Sequence, residues 1–175
     1  MTIESAISLS PGLRMPAADA LCDVQHPRLR RLCEYWLARC AGRRFPARKD
    51  IDPLEFPYIL GDIMLVDVLR NPLRFRVRLH GTNMVVRAGY DMTGKLLDQL
   101  PGPEYREHVL VRCQRLVEVG EPLATVHDRV LDDRLWRYEV VWLPFSDDGA
   151  EINMLLCALI YSDVTRSVEQ AAVVG

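Results

Sequence analysis

The sequence has no long apolar run and no strong excess of charge. No stretch reaches the roughly 20 apolar residues that a membrane-spanning helix requires, and the start, MTIESAISLS, lacks the basic region of a secretory signal. A net charge of −2 provides no general attraction to nucleic acid or to anionic lipid. Five cysteines form no paired framework, which is typical of a reducing compartment. We therefore predict a cytoplasmic protein with neither membrane nor nucleic acid as a partner.

The sequence also lacks the short motifs of common enzymes and metal sites. It contains no Gly-x-Ser-x-Gly, no His-Glu-x-x-His and no glycine-rich phosphate loop. The acidic pairs Asp132-Asp133 and Asp147-Asp148 fall in predicted turns, where carboxylates are ordinarily solvated. Cys33-x6-Cys40 does not have the spacing of a metal-ligand pair. The sequence therefore predicts no catalytic residue and no metal site.

The pattern of apolar residues divides the 175-residue chain into four regions. About half of the residues are apolar, which is enough for the core of one domain. We predict a flexible leader over residues 1–26, an amphipathic helix over 27–42, a folded domain over 43–163 and a polar tail over 164–175.

The helix predicted for residues 27–42 has one apolar stripe. Pro27 suits a first helical turn and Gly42 suits a stop, while arginines fill the opposite side. The stripe predicts packing against the rest of its own domain or against a second chain. Its main members are Leu29, Leu32, Cys33, Trp36 and Leu37.

Five segments have the pattern of β-strands. In residues 74–80, Phe75, Val77 and Leu79 share one face, whereas three arginines and His80 occupy the other. This alternation predicts a half-buried antiparallel strand with His80 at the surface. The other four segments are residues 63–69, 123–131, 136–145 and 152–161.

The last of these segments is apolar at both parities, so the sequence does not decide which set of its side chains faces inward. A tight turn at residues 146–149 joins it to the preceding strand, which indicates an antiparallel sheet. The two alternatives for the inward set are Leu155, Cys157 and Leu159, or Met154, Leu156 and Ala158.

Helical segments separate the second strand from the last three. A short one follows Gly81, and the clearest helix of the chain lies within residues 101–120. The order predicts an α+β domain with these helices on one face of the sheet. The other face also carries apolar residues, so the helix containing Trp36 is the candidate cover, alone or with a partner chain.

Three segments within residues 28–162 resemble PAS domains, and more closely a family of small stand-alone bacterial PAS proteins. They are RRLCEYWLARCAGRRFPARKDIDPLEFP, FRVRLHGTNMVVRAGYDMTGKLLDQL and WRYEVVWLPFSDDGAEINMLLCALIY, of which RLHGT and YDMTGK are the most specific. The resemblance implies a five-stranded antiparallel sheet with helices on one face and often a cavity between them. It also implies an N-terminal helix on or near the other face.

The resemblance implies a sensory or signalling module rather than an enzyme. A member without its own effector domain would act by binding another signalling protein, such as a histidine kinase. Many PAS domains form homodimers through the N-terminal helix. The dimer or partner interface predicted here consists of Leu29, Leu32, Cys33, Trp36, Leu37, Val141 and Leu143.

Two cofactors of PAS-like domains fit this sequence poorly. Flavin-binding light sensors place a reactive cysteine in Asn-Cys-Arg-Phe-Leu, but here residues 112–116 read Arg-Cys-Gln-Arg-Leu, so Cys113 is predicted to be a small core residue. Haem-binding members use a helical histidine, and His108 is predicted to be partly exposed at the edge of its stripe. We predict no cofactor.

A small-molecule pocket between helices and sheet is the alternative to a docking role. Its side chains could equally fill the space themselves as an ordinary core. Tyrosine hydroxyls and few charges would favour a neutral or weakly polar ligand. The predicted lining is Phe75, Val77, Leu79, Val86, Tyr90, Tyr105, Val109, Cys113, Tyr138 and Trp142.

Overall fold

The computed structural model describes residue 21, residues 23–131 and residues 134–163. Most of the predicted leader, the predicted tail over 164–175 and the Asp132-Asp133 turn lie outside these residues. The α-helices are α1 (Pro27–Cys40), α2 (Thr82–Ala88) and α3 (Pro103–Val119). The strands are β1 (Ile63–Leu69), β2 (Arg74–His80), β3 (Leu123–Leu131), β4 (Arg134–Phe145) and β5 (Met154–Asp163).

The five strands form one antiparallel sheet in the order β2-β1-β5-β4-β3. This confirms the predicted α+β fold. The first three strands have the predicted bounds, while β4 begins earlier than predicted and β5 is displaced toward the C-terminus. None of the helices in the described part of the chain has the length and hydropathy needed to cross a membrane.

Helix α1 covers one face of the sheet, which we call the outer face. The indole Nε1 of Trp36 donates a hydrogen bond to the carbonyl oxygen of Pro144 over 3.0 Å. Leu143 and Leu156, which are paired across β4 and β5, line a void of only about 10 Å³ beneath the helix. This space is no larger than about one water molecule, so α1 packs closely on the sheet.

This contact shows which side chains of β5 point to the outer face, a choice that the sequence does not decide. Since Leu156 lies beneath α1 and side chains alternate along a strand, Met154 and Ala158 also face outward. Leu155, Cys157 and Leu159 therefore face α2 and α3 on the inner face. The Cys157 thiol lies within electrostatic reach of Cys113 on α3, and burial raises the pKa of Cys157 well above its usual range.

A β-bulge corrects the prediction for the end of β2. The register shifts between Leu65 and Val66, so that Leu79 pairs with Leu65 and His80 pairs with Met64. The bulge reverses the alternation: Leu79 turns to the outer face and is 39% exposed, whereas only 6% of the His80 side chain is exposed. The predictions of an inward Leu79 and a surface His80 are therefore wrong.

Gly81 holds the turn from β2 into α2 against the segment before β1. Its N–H donates to the carbonyl oxygen of Ile63 over 2.8 Å. A Cβ at this position would lie 2.4 Å from the carbonyl oxygen of Gly61 and 2.7 Å from that of Ile63. Both neighbours are backbone atoms, so the close approach requires glycine.

Candidate functional site

The ten predicted pocket residues fall into three groups: five are buried, two lie at the surface and three are partly exposed on the inner side. Five of them are buried on the inner side, where they fill the space between α3 and the sheet. None of these five side chains is open to solvent, and their role as the lining of a ligand cavity stays a prediction. These five are Phe75, Val77, Val109, Cys113 and Trp142.

Leu79 and Val86 do not line an inner pocket in this structure. The bulge turns Leu79 outward, as described above. Val86 lies on the solvent side of the short helix α2 and is 82% exposed. Because α2 has only two turns, a shift of one or two residues in its facing moves a side chain from the core to solvent.

The remaining three residues, Tyr90, Tyr105 and Tyr138, lie partly exposed on the inner side. Together with Tyr161 they form what we call the aromatic cleft. Tyr105 is 54% exposed, yet Cys157, Tyr90, Tyr138 and Tyr161 all lie within electrostatic reach of its hydroxyl. Withdrawal of that hydroxyl from bulk water raises the pKa of Tyr105 well above its usual range. Tyr105 therefore lies at the edge of this group of rings, with part of its side chain open to solvent.

Strand register assembles one wall of the cleft. Tyr138 on β4 lies opposite His127 on β3 and Tyr161 on β5. Its ring stacks on His127 with centroids 4.8 Å apart, and lies 5.0 Å from the ring of Tyr161. The ring of Trp136 meets Tyr161 edge-on at 6.5 Å. Cross-strand aromatic pairs of this kind stabilise the sheet and hold the rings in fixed orientations.

His80 and Tyr90 form the opposite wall, with ring centroids 6.4 Å apart. His80 Nδ1 accepts a hydrogen bond from the N–H of Met92 over 3.3 Å. Burial lowers the pKa of His80, which keeps its ring neutral near pH 7, and burial raises the pKa of Tyr90. The cleft thus offers neutral hydroxyl groups and ring faces.

Arg87 places a cation at the edge of this cleft. Arg87 on α2 places its guanidinium carbon 5.2 Å from the ring centroid of Tyr161, which is within the range of a cation–π contact. Sequence reasoning missed Arg87, Tyr161 and His127 as site residues. The alternation of β4 indicates Tyr138, but only the register of β3 and β5 against it shows which residues lie beside Tyr138.

The residues predicted as a dimer or partner interface are buried within one chain. Trp36 is 1% exposed, and all the others except Leu37 are also fully buried beneath or within α1. In this structure they do not present a surface to a partner, because α1 already covers the outer face. A partner could reach them only if α1 left the sheet. The six buried members are Leu29, Leu32, Cys33, Trp36, Val141 and Leu143.

The residues weighed for cofactor chemistry are Cys113 and His108, and both lie on α3. Cys113 is fully buried, and burial raises the pKa of its thiol to about 12, so it has little thiolate character. His108 is exposed, with Nε2 2.8 Å from Nη2 of Arg112. Across residues 21, 23–131 and 134–163, no three His, Cys, Asp or Glu side chains group together as metal ligands.

Comparison with known proteins places this geometry in a family. A family model described as a PAS domain matches residues 24–160, a range that includes α1. A comparison with curated proteins returned no match. Solved PAS and light-oxygen-voltage (LOV) domains resemble the chain at low sequence identity.

Two of these structures illustrate the likeness. The PAS domain of Bordetella pertussis BvgS is 18% identical, with 71% of this chain and 97% of that one covered and a TM-score of 0.50. A Rhodobacter sphaeroides LOV protein is 17% identical, with 70% and 74% covered and a TM-score of 0.44. At such identities the likeness concerns the fold alone.

Proposed function

Because this chain belongs to the PAS domain family, we propose that it is a cytoplasmic sensory module of bacterial signal transduction that binds a small molecule in the aromatic cleft. The observation that carries the proposal is the partial exposure of Tyr105 among Tyr90, Tyr138 and Tyr161. These four tyrosines bring four ring faces and four hydroxyl groups to the inner side. Part of this surface is open to solvent.

The chemistry of the cleft favours a neutral or weakly polar aromatic ligand. Ring faces bind a flat apolar body, and the hydroxyls can donate or accept a hydrogen bond at its edge. Apart from Arg87, the cleft groups named above are aromatic rings, and burial keeps the pKa of His80 low enough for a neutral ring near pH 7. A strongly charged ligand would therefore lose water without gaining a matched partner.

Native mass spectrometry of the freshly purified protein tests this function directly. We expect an added mass that disappears on denaturation, and that mass identifies the class of the ligand. Where the ligand is lost during purification, indole serves as a neutral aromatic probe in thermal unfolding. At ten times its dissociation constant a ligand stabilises the native state by about 1.4 kcal/mol, which raises the melting temperature by about 3–6 °C.

A pair of tyrosine variants locates the site. Tyr105→Phe removes a cleft hydroxyl, and we expect binding of the ligand to weaken about fivefold, the value of one neutral hydrogen bond. Tyr58→Phe is the matched control, because that ring lies under Arg31 of α1, 4.2 Å from its guanidinium carbon. Equal effects of the two variants, or neither an added mass nor stabilisation by indole, would contradict the proposal.

We further propose that the module transmits its signal by protein contact, as a homodimer or with a regulatory protein such as a histidine kinase. The support is the apolar outer face that lies under α1 around Trp36 and Leu143. A single helix that covers such a face can exchange for a partner. Light scattering over a wide range of protein concentration tests the homodimer, and a monomer throughout would leave only the regulatory protein.

A further inference from the structure

A buried carboxylate joins the two helices that lie on opposite faces of the sheet. Asp62, which directly precedes β1, is 1% exposed. Arg28 on α1 places Nη1 3.2 Å from its Oδ2, and Arg87 on α2 donates from Nη1 to its Oδ1 over 3.1 Å. We call Arg28, Asp62 and Arg87 the Asp62 clasp. It connects the outer cover of the sheet with the inner helix next to the cleft.

The two arginines of the clasp bind Asp62 unequally, because only Arg87 forms a hydrogen bond of normal geometry with the carboxylate. Asp62 Oδ2 is buried and accepts no hydrogen bond of normal geometry, although Arg28 is close by. Nη1 of Arg28 donates to the carbonyl oxygen of Tyr58 over 3.0 Å instead. A buried carboxylate depends on its hydrogen-bonded partner, because an uncompensated charge away from water is costly. Arg87 is therefore the group that holds Asp62 in its dry position.

The same guanidinium also contacts the aromatic cleft. Arg87 lies over the ring of Tyr161, so one side chain faces Asp62 and the cleft at once. A molecule that stacks on Tyr161 must compete with Arg87 for that ring face. Displacement of Arg87 would leave Asp62 with the poorly aligned Arg28 alone. Water could then reach the carboxylate only through movement of the elements packed on it, among them α1, which packs against residues 57–62.

We propose that the Asp62 clasp is a conformational switch: occupation of the cleft draws Arg87 from Asp62 and loosens α1 from the outer face. Loosening of α1 uncovers Trp36, Val141 and Leu143, which a partner cannot reach in the docked state. The trigger rests on the proposed ligand function. The coupling of Arg87 to α1 through Asp62 does not, and it can be measured on the ligand-free protein.

Alkylation of Cys33 by iodoacetamide, followed by peptide mass spectrometry, measures the loosening of α1. Cys33 is buried on the apolar side of α1, and burial raises the pKa of its thiol to about 12, so it reacts only when the helix opens. Cys157 on the inner face reports opening of the whole domain. We expect Arg87→Gln to accelerate the labelling of Cys33 about tenfold, equivalent to about 1.4 kcal/mol, and that of Cys157 much less.

The matched control is Arg76→Gln. Asp67 is also buried and also pairs with two arginines, Arg76 at 3.1 Å and Arg78 at 2.7 Å, but this group is contained within β1 and β2. Arg76→Gln therefore removes the same kind of ion pair without touching α1. Since no residue of this group belongs to α1, its effect on the labelling of Cys33 should stay within about twofold.

A double-mutant cycle separates the clasp from the contact of Arg87 with Tyr161. In an Asp62→Asn background, Arg87→Gln should no longer accelerate the labelling of Cys33, because the charge that requires Arg87 is gone. Where Arg87→Gln does not fold, Arg87→Lys replaces it, and a smaller but selective acceleration is expected since lysine keeps the charge and loses the planar fork.

Three results would overturn the switch: equal acceleration by Arg87→Gln and Arg76→Gln, parallel acceleration at Cys33 and Cys157, or an undiminished effect of Arg87→Gln in the Asp62→Asn background. None of these depends on a ligand. Failure of the proposed ligand function would instead appear as unchanged melting in the presence of indole. The two failures are therefore distinguishable.

Discussion

Replacement of Trp36 by alanine tests whether α1 packs on the sheet of its own chain. Trp36 is among the largest fully buried side chains, and it contacts the outer face at the centre of α1. Beneath it lie Leu143 and Phe145 of β4 and Leu156 of β5. Removal of the indole deletes the main contact through which α1 covers the sheet.

The structure sets the size of the effect. Truncation of a buried tryptophan to alanine costs about 3–5 kcal/mol, because contacts are lost and a cavity remains. The Pro144 carbonyl also loses its 3.0 Å hydrogen bond from Trp36 Nε1, which adds about 1 kcal/mol. The sum cannot exceed the free energy that docks α1, since the helix can leave the sheet instead. We therefore expect a loss of about 4 kcal/mol, with Trp36→Phe at about 2 kcal/mol.

Urea unfolding followed by far-ultraviolet circular dichroism measures both variants. Leu54→Ala is the control, because Leu54 is 83% exposed and its truncation should change stability by less than about 0.5 kcal/mol. A loss below about 1 kcal/mol for Trp36→Ala would refute packing on its own sheet.

Two further predictions concern glycine and pH. Gly81→Ala should cost about 3 kcal/mol or more, because its Cβ would collide with the backbone of Gly61. Gly149→Ala, which has open space but a φ of 78°, should cost about 1 kcal/mol; similar unfolding midpoints for both would argue against the close turn. Burial keeps the pKa of His80 below its ordinary value, so the unfolded chain binds the proton first as the pH falls. The contribution of His80 is complete above about pH 6.5 and is lost as the pH drops toward the lower folded value. His80→Asn, which keeps an acceptor for the Met92 N–H, should flatten this part of the stability profile, and an unchanged slope would show that His80 does not titrate there.

The strands could be predicted because alternation and turns are local properties. Residues 63–69, 74–80 and 123–131 have the bounds that the sequence predicts. The Asp52 side chain caps the turn at Pro53 by accepting a hydrogen bond from the Leu54 N–H over 2.9 Å. Each of these features depends on residues that are neighbours in the chain, so the pattern alone is sufficient.

The face to which a strand residue points, and its exposure, could not be predicted where they depend on residues that are distant in the sequence. The bulge in β2 adds one residue against β1, and no local pattern shows where a register shift falls. Leu79 therefore moved outward and His80 inward. Likewise, both parities of β5 are apolar, and only its pairing with Leu143 beneath α1 decides that Leu156 faces outward.

The candidate site shows the same limit most clearly. Phe75 and Tyr105 are both aromatic residues predicted to line one pocket, yet Phe75 is closed in the core whereas Tyr105 remains half-exposed. Residue type indicates that a side chain can line a cavity, but packing from β1, β5 and α3 decides whether space is left beside it. The role of Arg87 could not be predicted for the same reason. Its side chain contacts Asp62 and Tyr161, which are far apart in the sequence. These two contacts become visible only once the fold brings α2 next to Asp62 and Tyr161.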